Sequence, residues 1–225
     1  MRVEAVRTPA TKEQVSRALV VAWWALLHEP PTREAIMLMT AQSAFECGWW
    51  KALWNFNIGN SKSQQKSGLW YFVQCSELLD PARAESLRTA DPDRVSLGLL
   101  VNVAEPGKPP KMRRSVTFKP DHPASCFRAH ATLEAGITDH VRMMFDNFES
   151  AIAPIKAGNI SAACDALADR YFTDQRAHYE YVWRDCLRQL GDLEIDLSPP
   201  PADITGRLAA DQDAIFRAFT PEDPS

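Results

Sequence analysis

Ala41-Gln42-Ser43-Ala44-Phe45-Glu46-Cys47-Gly48-Trp49-Trp50 sets a carboxylate where a helical pattern stops and an aromatic cluster begins. Upstream, Ile36, Met39, Ser43 and Cys47 follow helical spacing, Thr32 is a fitting N-cap and Gly48 a fitting stop, which predicts a helix from about Arg33 to Cys47. Glu46 then lies in the last turn. Phe45, Trp49 and Trp50, with Trp54 and Phe56 beyond, would desolvate its carboxylate, and the negative end of the helix dipole acts in the same direction. Both effects favour a retained proton, which is what a general acid needs. An ordinary surface glutamate at a helix end has the same local pattern, and composition does not choose between them.

Outward from this stretch, Thr11 and Gln14 form a capping-box pattern that opens an earlier helix ending near His28, before Glu29-Pro30-Pro31. The large apolar residues of that helix, Trp23 and Trp24 among them, have the spacing of core packing. From Leu69 the character changes. Leu69–Val73, Val95–Val103 and Met112–Phe118 read as strands, with a turn at Glu105–Pro110 and a short helix starting at Asp80-Pro81. Helical patterns return at about 133–145, 150–156, 161–168 and 174–190, with Gly158 and Gly191 as stops. Ser198-Pro199-Pro200-Pro201 reads as a stiff linker, and Ile204, Leu208, Ile215 and Phe219 suggest a last amphipathic helix.

The expected fold class is therefore α+β, mainly α, with a helical lobe and a β-rich lobe of about residues 69–120 flanking a cleft. One domain over residues 1–197 is expected, followed by the linker and tail of 198–225. A chain of 225 residues, 45% apolar, can build one substantial core.

Charge narrows the partners. With 25 Lys and Arg against 29 Asp and Glu, and the basic residues scattered, no stripe exists to neutralise a phosphate backbone, so nucleic acid is not expected. The five cysteines are widely spaced and form no C-x-x-C pair, which reads as a reduced set. Leu19–Leu27 is too short to span a bilayer and follows a long charged segment, unlike a signal peptide, so no membrane insertion is expected. The five histidines show no ligand spacing, and neither metal nor cofactor is expected.

The string 41–50 resembles the Ala-Gln-x-Ala-x-Glu-Ser-Gly-Trp-Gly signature of the glucosaminidase family, glycoside hydrolase family 73, within the lysozyme-like superfamily. Trp54-Asn55-Phe56-Asn57-Ile58-Gly59-Asn60 is similar to the Asn-rich segment that follows that family's catalytic helix. Phe127-Arg128-Ala129-His130 with Ile137-Thr138-Asp139-His140 resembles its Phe-Arg-x-Tyr and Ser-Ile-x-Asp-His stretch, and Tyr171-Phe172-Thr173-Asp174 with Tyr179 its Tyr-Ala-Thr-Asp-Pro-x-Tyr element. The matches run in family order over roughly residues 12–190. Departures stand at Cys47, Trp50, Cys75 and His130.

The resemblance implies a lysozyme-like fold and cleavage of the β-1,4 glycosidic bond of peptidoglycan glycan strands after N-acetylglucosamine. Glu46 takes the place of the catalytic acid, and Tyr171 that of a tyrosine facing the active site. Glu77 matches the second acidic residue, which would activate water or stabilise positive charge on the sugar. Asp80, Glu85, Asp91 and Asp121 are other acidic candidates in the β-lobe. Trp49, Trp50, Trp54, Trp70 and Tyr171 could offer ring faces to sugars, and Asn57 or Asn60 could bond N-acetyl groups; core packing is the alternative for the tryptophans.

Three other readings stay open. Lytic transglycosylation or muramidase action would use the same acid. A cysteine peptidase would pair Cys47 with His130 or His140 and Asp139, but a helix C-terminus disfavours a thiolate. A non-catalytic glycan-binding or virion structural protein would keep the cleft without turnover. An enzyme made in the cytoplasm without a signal sequence would reach the wall, in the periplasm or outside, by way of a holin, a phage particle or a secretion system, as an endolysin or antibacterial effector.

Overall fold

A computed structural model describes residues 1–65, 68–103, 109–168, 176–201 and 204. Seven α-helices and five strands among them make an α+β fold. The helices are α1 (Lys12–Leu27), α2 (Arg33–Glu46), α3 (Pro81–Ala90), α4 (Leu133–Asn147), α5 (Glu149–Lys156), α6 (Ile160–Leu167) and α7 (Arg176–Leu190). The strands are β1 (Leu69–Phe72), β2 (Cys75–Leu79), β3 (Val95–Val103), β4 (Lys111–Phe118) and β5 (Cys126–Ala129).

The caps explain the helix starts. Thr11 and Gln14 close the expected capping box on α1, Thr32 Oγ1 accepts from Ala35 N at 3.1 Å on α2, and Asp80 Oδ1 accepts from Ala82 and Arg83 N ahead of α3. Helix α2 is central. Every residue from Ala35 to Ser43, and Ala44 after it, is buried, so the helix is covered on all sides rather than along one stripe. It packs on α1, α5 and α7, and α1 packs in turn on α4. Trp23, fully buried, meets Phe145 edge-on at 5.4 Å, and Trp24 Nε1 donates to Leu197 O at 3.3 Å, as the core reading of the first helix expects.

The β region divides differently from the expectation. Strands β2, β4 and β3 form an antiparallel sheet in that order, with α3 packed on β3 and β4 over Ala84, Val95, Val116 and Phe118. Strand β1 instead pairs with β5, Leu69 opposite Ala129 and Phe72 opposite Cys126, around Tyr71 and Phe127. A lobe of 69–120 therefore needs correction: β1 pairs with a strand beyond its end, one too short and too mixed to show an alternating pattern. The N-terminal segment adds to this second sheet, with Val3 N donating to Trp70 O at 2.8 Å. Residues 105–108 of the expected turn, and the expected last helix beyond Ile204, lie outside the described residues.

Candidate active site

Helix α2 ends at Glu46 because the chain turns out of helical geometry at Cys47 (φ −110°) and then enters left-handed backbone at Gly48, Trp49 and Trp50 (φ 53°, 55° and 57°). Glycine adopts this freely, but each tryptophan is strained there by roughly 1–2 kcal/mol. Packing holds them. Trp50 is buried and donates from Nε1 to Ser43 Oγ at 3.2 Å, and Trp49 meets its ring edge-on at 5.9 Å. Asn55, Phe56 and Asn60 are left-handed as well, so non-glycine strain gathers in the loop after Glu46, as it does at functional sites.

Glu46 is half-buried, and its carboxylate is engaged from across the core. The Tyr179 hydroxyl, on α7, donates to Glu46 Oε1 at 2.9 Å and accepts from Gln42 Nε2 at 3.2 Å. Gln42, one turn before Glu46, faces His140 of α4, with Oε1 3.4 Å from the imidazole Nε2. Phe45 packs edge-on against the Tyr179 ring at 5.1 Å, and Asn60 Nδ2 donates to the Glu46 carbonyl at 2.9 Å. Tyr179 and Gln42 were not among the site residues expected from sequence, and His140 stood there only as a base for the cysteine reading. The available signal was polarity: Thr40, Gln42 and Ser43 interrupt the stretch Ala35–Ala44, which is otherwise apolar and wholly buried.

Family models, curated proteins and solved structures were compared with this chain, and none matches it.

The other expected site residues fall into distinct places. Trp50, 2% exposed, has no open ring face and supports the turn instead of meeting a sugar. Asn57, also 2% exposed, spends its amide on the loop: Oδ1 accepts from Ser61 N at 2.9 Å and Nδ2 donates to Ser61 O at 3.0 Å. The Arg7 guanidinium lies over the Trp54 ring at 4.2 Å and covers that face. Packing and polar partners thus hold Trp50 and Asn57 in the scaffold of the loop, while Trp54 is half-buried with the Arg7 guanidinium over its ring. Trp49 is partly exposed and Asn60 exposed, both beside Glu46, while Tyr171 lies outside the described residues.

Glu77, on β2, pairs with Lys62 at 3.1 Å. The Lys62 ammonium also lies over the Phe127 ring at 4.0 Å, so the loop that carries Asn60 to Glu46 carries Lys62 to Glu77 two residues later. The remaining acidic candidates have structural partners or stand on the surface. Asp80 caps α3, Asp91 pairs with Arg94 at 2.7 Å, Asp121 pairs with Arg2 at 3.0 Å, and Glu85 is exposed on α3.

The cysteine route has the wrong electrostatics. Burial first, and the Glu46 charge second, push the Cys47 thiol up to about 12, and its Sγ lies 2.9 Å from the Ile58 carbonyl. His140 is buried and held down to about 4, and burial also lowers His130, so neither ring offers an exposed base. Asp139 is engaged by Arg128 Nη1 at 2.8 Å. Among the described residues no group of His, Cys, Asp and Glu side chains is arranged to hold a metal ion, and no helix is long and apolar enough to cross a membrane.

Proposed function

We propose that this protein is a peptidoglycan hydrolase that cleaves the β-1,4 bond of the glycan strand as an endo-β-N-acetylglucosaminidase on a lysozyme-like fold, with Glu46 as general acid. One observation carries the reading: Glu46 closes a helix buried from Ala35 to Ala44, and its Oε1 accepts the Tyr179 hydroxyl at 2.9 Å while left-handed backbone begins two residues later, at Gly48. A carboxyl held this rigidly can present its proton to a leaving oxygen in one orientation.

In the reaction, Glu46 protonates the glycosidic oxygen as the bond to the anomeric carbon breaks, and positive charge develops on the sugar ring. Water then adds to the anomeric carbon and its proton restores the acid. Asn60 and the exposed part of Trp49 are the nearest candidates for sugar contacts, and Tyr171 is a third carried by the family resemblance. Glu77 is the proposed partner carboxylate, held by Lys62.

Turbidity clearing of purified peptidoglycan by wild type and Glu46→Gln tests the reading. Wild type clears the suspension, and the variant loses roughly 10²–10⁴-fold in rate. Reducing N-acetylglucosamine ends in the released muropeptides identify the bond by mass spectrometry. Anhydro-muramic ends would make the enzyme a lytic transglycosylase, and reducing muramic ends a muramidase. Protein that sediments with peptidoglycan without clearing it is a glycan-binding protein, and the enzymatic reading is then lost.

A further inference from the structure

Four buried or half-buried side chains from three helices form one line of hydrogen bonds: His140 on α4, Gln42 on α2, Tyr179 on α7 and Glu46 at the end of α2. Their donors and acceptors leave one consistent direction. Tyr179 has a single proton and spends it on Glu46 Oε1, so its oxygen accepts from the Gln42 amide NH₂. The Gln42 carbonyl oxygen therefore faces His140 and needs a donor. Only an imidazole protonated on Nε2 supplies one.

The far side of the ring fits the same assignment. His140 is 1% exposed, its Nδ1 has no hydrogen-bond partner, and Gly59 approaches so closely that a Cβ there would stand 2.5 Å from Nδ1. A proton on Nδ1 would be buried without an acceptor. The opposite tautomer would also turn the Gln42 amide round, so that Tyr179 donated to Gln42 and left Glu46.

We propose that His140 and Gln42 are positioning residues that act through Tyr179 to decide which oxygen of Glu46 carries the acid proton. This rests on Glu46 being the general acid. With Oε1 held as an acceptor, the carboxyl proton resides on Oε2, and that oxygen delivers it to the departing sugar. No bond is made or broken in the relay; it orders protons already present. Hydrogen bonds in such a chain polarise one another, so its first member matters to its last.

Two sets of measurements test the relay. The first reads the chain directly, without catalysis. Nitrogen-15 NMR of labelled histidine should show His140 as the neutral Nε2–H tautomer at neutral pH, and the Glu46 carboxyl carbon resonance should move in Tyr179→Phe and in Gln42→Glu. An Nδ1–H tautomer, or a Glu46 resonance indifferent to both changes, overturns the proposal even if wild type proves inactive on peptidoglycan. The second reads catalysis. In Gln42→Glu, one atom differs, but the new carboxylate accepts from both neighbours and draws the Tyr179 proton from Glu46, so kcat should fall about tenfold or more with KM little changed. Tyr179→Phe should do the same. His140→Gln, which keeps an N–H donor near the position of Nε2, should retain most of the activity that His140→Leu loses. Melting curves show which variants are folded, and a folded Gln42→Glu or Tyr179→Phe with wild-type kcat overturns the proposal.

Discussion

At the scale of single residues, His140 ties the site to stability. Burial holds its imidazole down to about 4 against an ordinary value of 6.5, so unfolded chains bind a proton that folded chains refuse between those limits. The His140 contribution to stability should therefore be flat above about pH 6.5 and fall as the pH drops towards 4, by on the order of 3 kcal/mol in total. Urea midpoints measured across that range check it. His140→Gln should remove most of the slope, and the remainder belongs in part to His130, whose burial acts in the same direction. Cys47 makes a second residue-scale test. With its thiol pushed up to about 12, it should escape iodoacetamide in the native protein at pH 8 and react once urea unfolds the chain, and peptide mass mapping reads the difference. Rapid native alkylation at Cys47 would reopen the thiol chemistry that its burial argues against.

At the scale of elements, the loop of residues 47–62 is held by close backbone approach to α4. A Cβ on Gly136 would stand 1.8 Å from the Phe56 carbonyl oxygen, and backbone cannot swing aside as a side chain would. Gly136→Ala should cost about 1–3 kcal/mol by forcing α4 and the loop apart, measured as a lowered melting temperature. Gly59→Ala meets the His140 ring instead, at 2.5 Å. That substitution should cost activity beyond its effect on melting, because it displaces the first member of the line that ends on Glu46. Equal loss in both quantities would reduce Gly59 to a packing residue. The strain at Trp49 and Trp50 belongs to the same element: α2 stops at Glu46 because the following backbone cannot continue a right-handed helix.

At the scale of the molecule, stability is unevenly shared. The main apolar cluster runs through α1, α2, α4, α5, α6 and α7, whereas the three-stranded sheet and α3 bury Ala84, Val95, Val116 and Phe118 among the described residues. Local opening should therefore begin in the sheet. Amides of β3 and β4 are expected to exchange with solvent roughly tenfold or more faster than those of α1 and α2, read by native-state hydrogen exchange. Uniform protection would mean that the sheet and the helices open together. Glu77 stands on β2, in the less protected sheet, while Glu46 ends the best-buried helix, so the two proposed carboxylates sit on parts of unequal stability.

Sequence by itself determined most of the helices, because their signals are local. Caps at Thr11, Thr32 and Asp80, apolar spacing along α1, α2 and α4, and the left-handed stops at Gly158 and Gly191 each act within a few residues of where they stand. It also set Glu46 at the end of a helix among aromatic residues. Tertiary structure alone decided what those aromatics do. Trp50 faces the core, Trp54 lies under Arg7, and Asn57 serves its own loop, since each contact depends on chain distant from the others or on backbone angles that composition does not encode. The pairing of β1 with β5 and the arrival of Tyr179 from 133 residues away are of the same kind. A buried polar side chain announces in sequence that it needs a partner, as Gln42 does within α2; only the packing of three helices supplies which one.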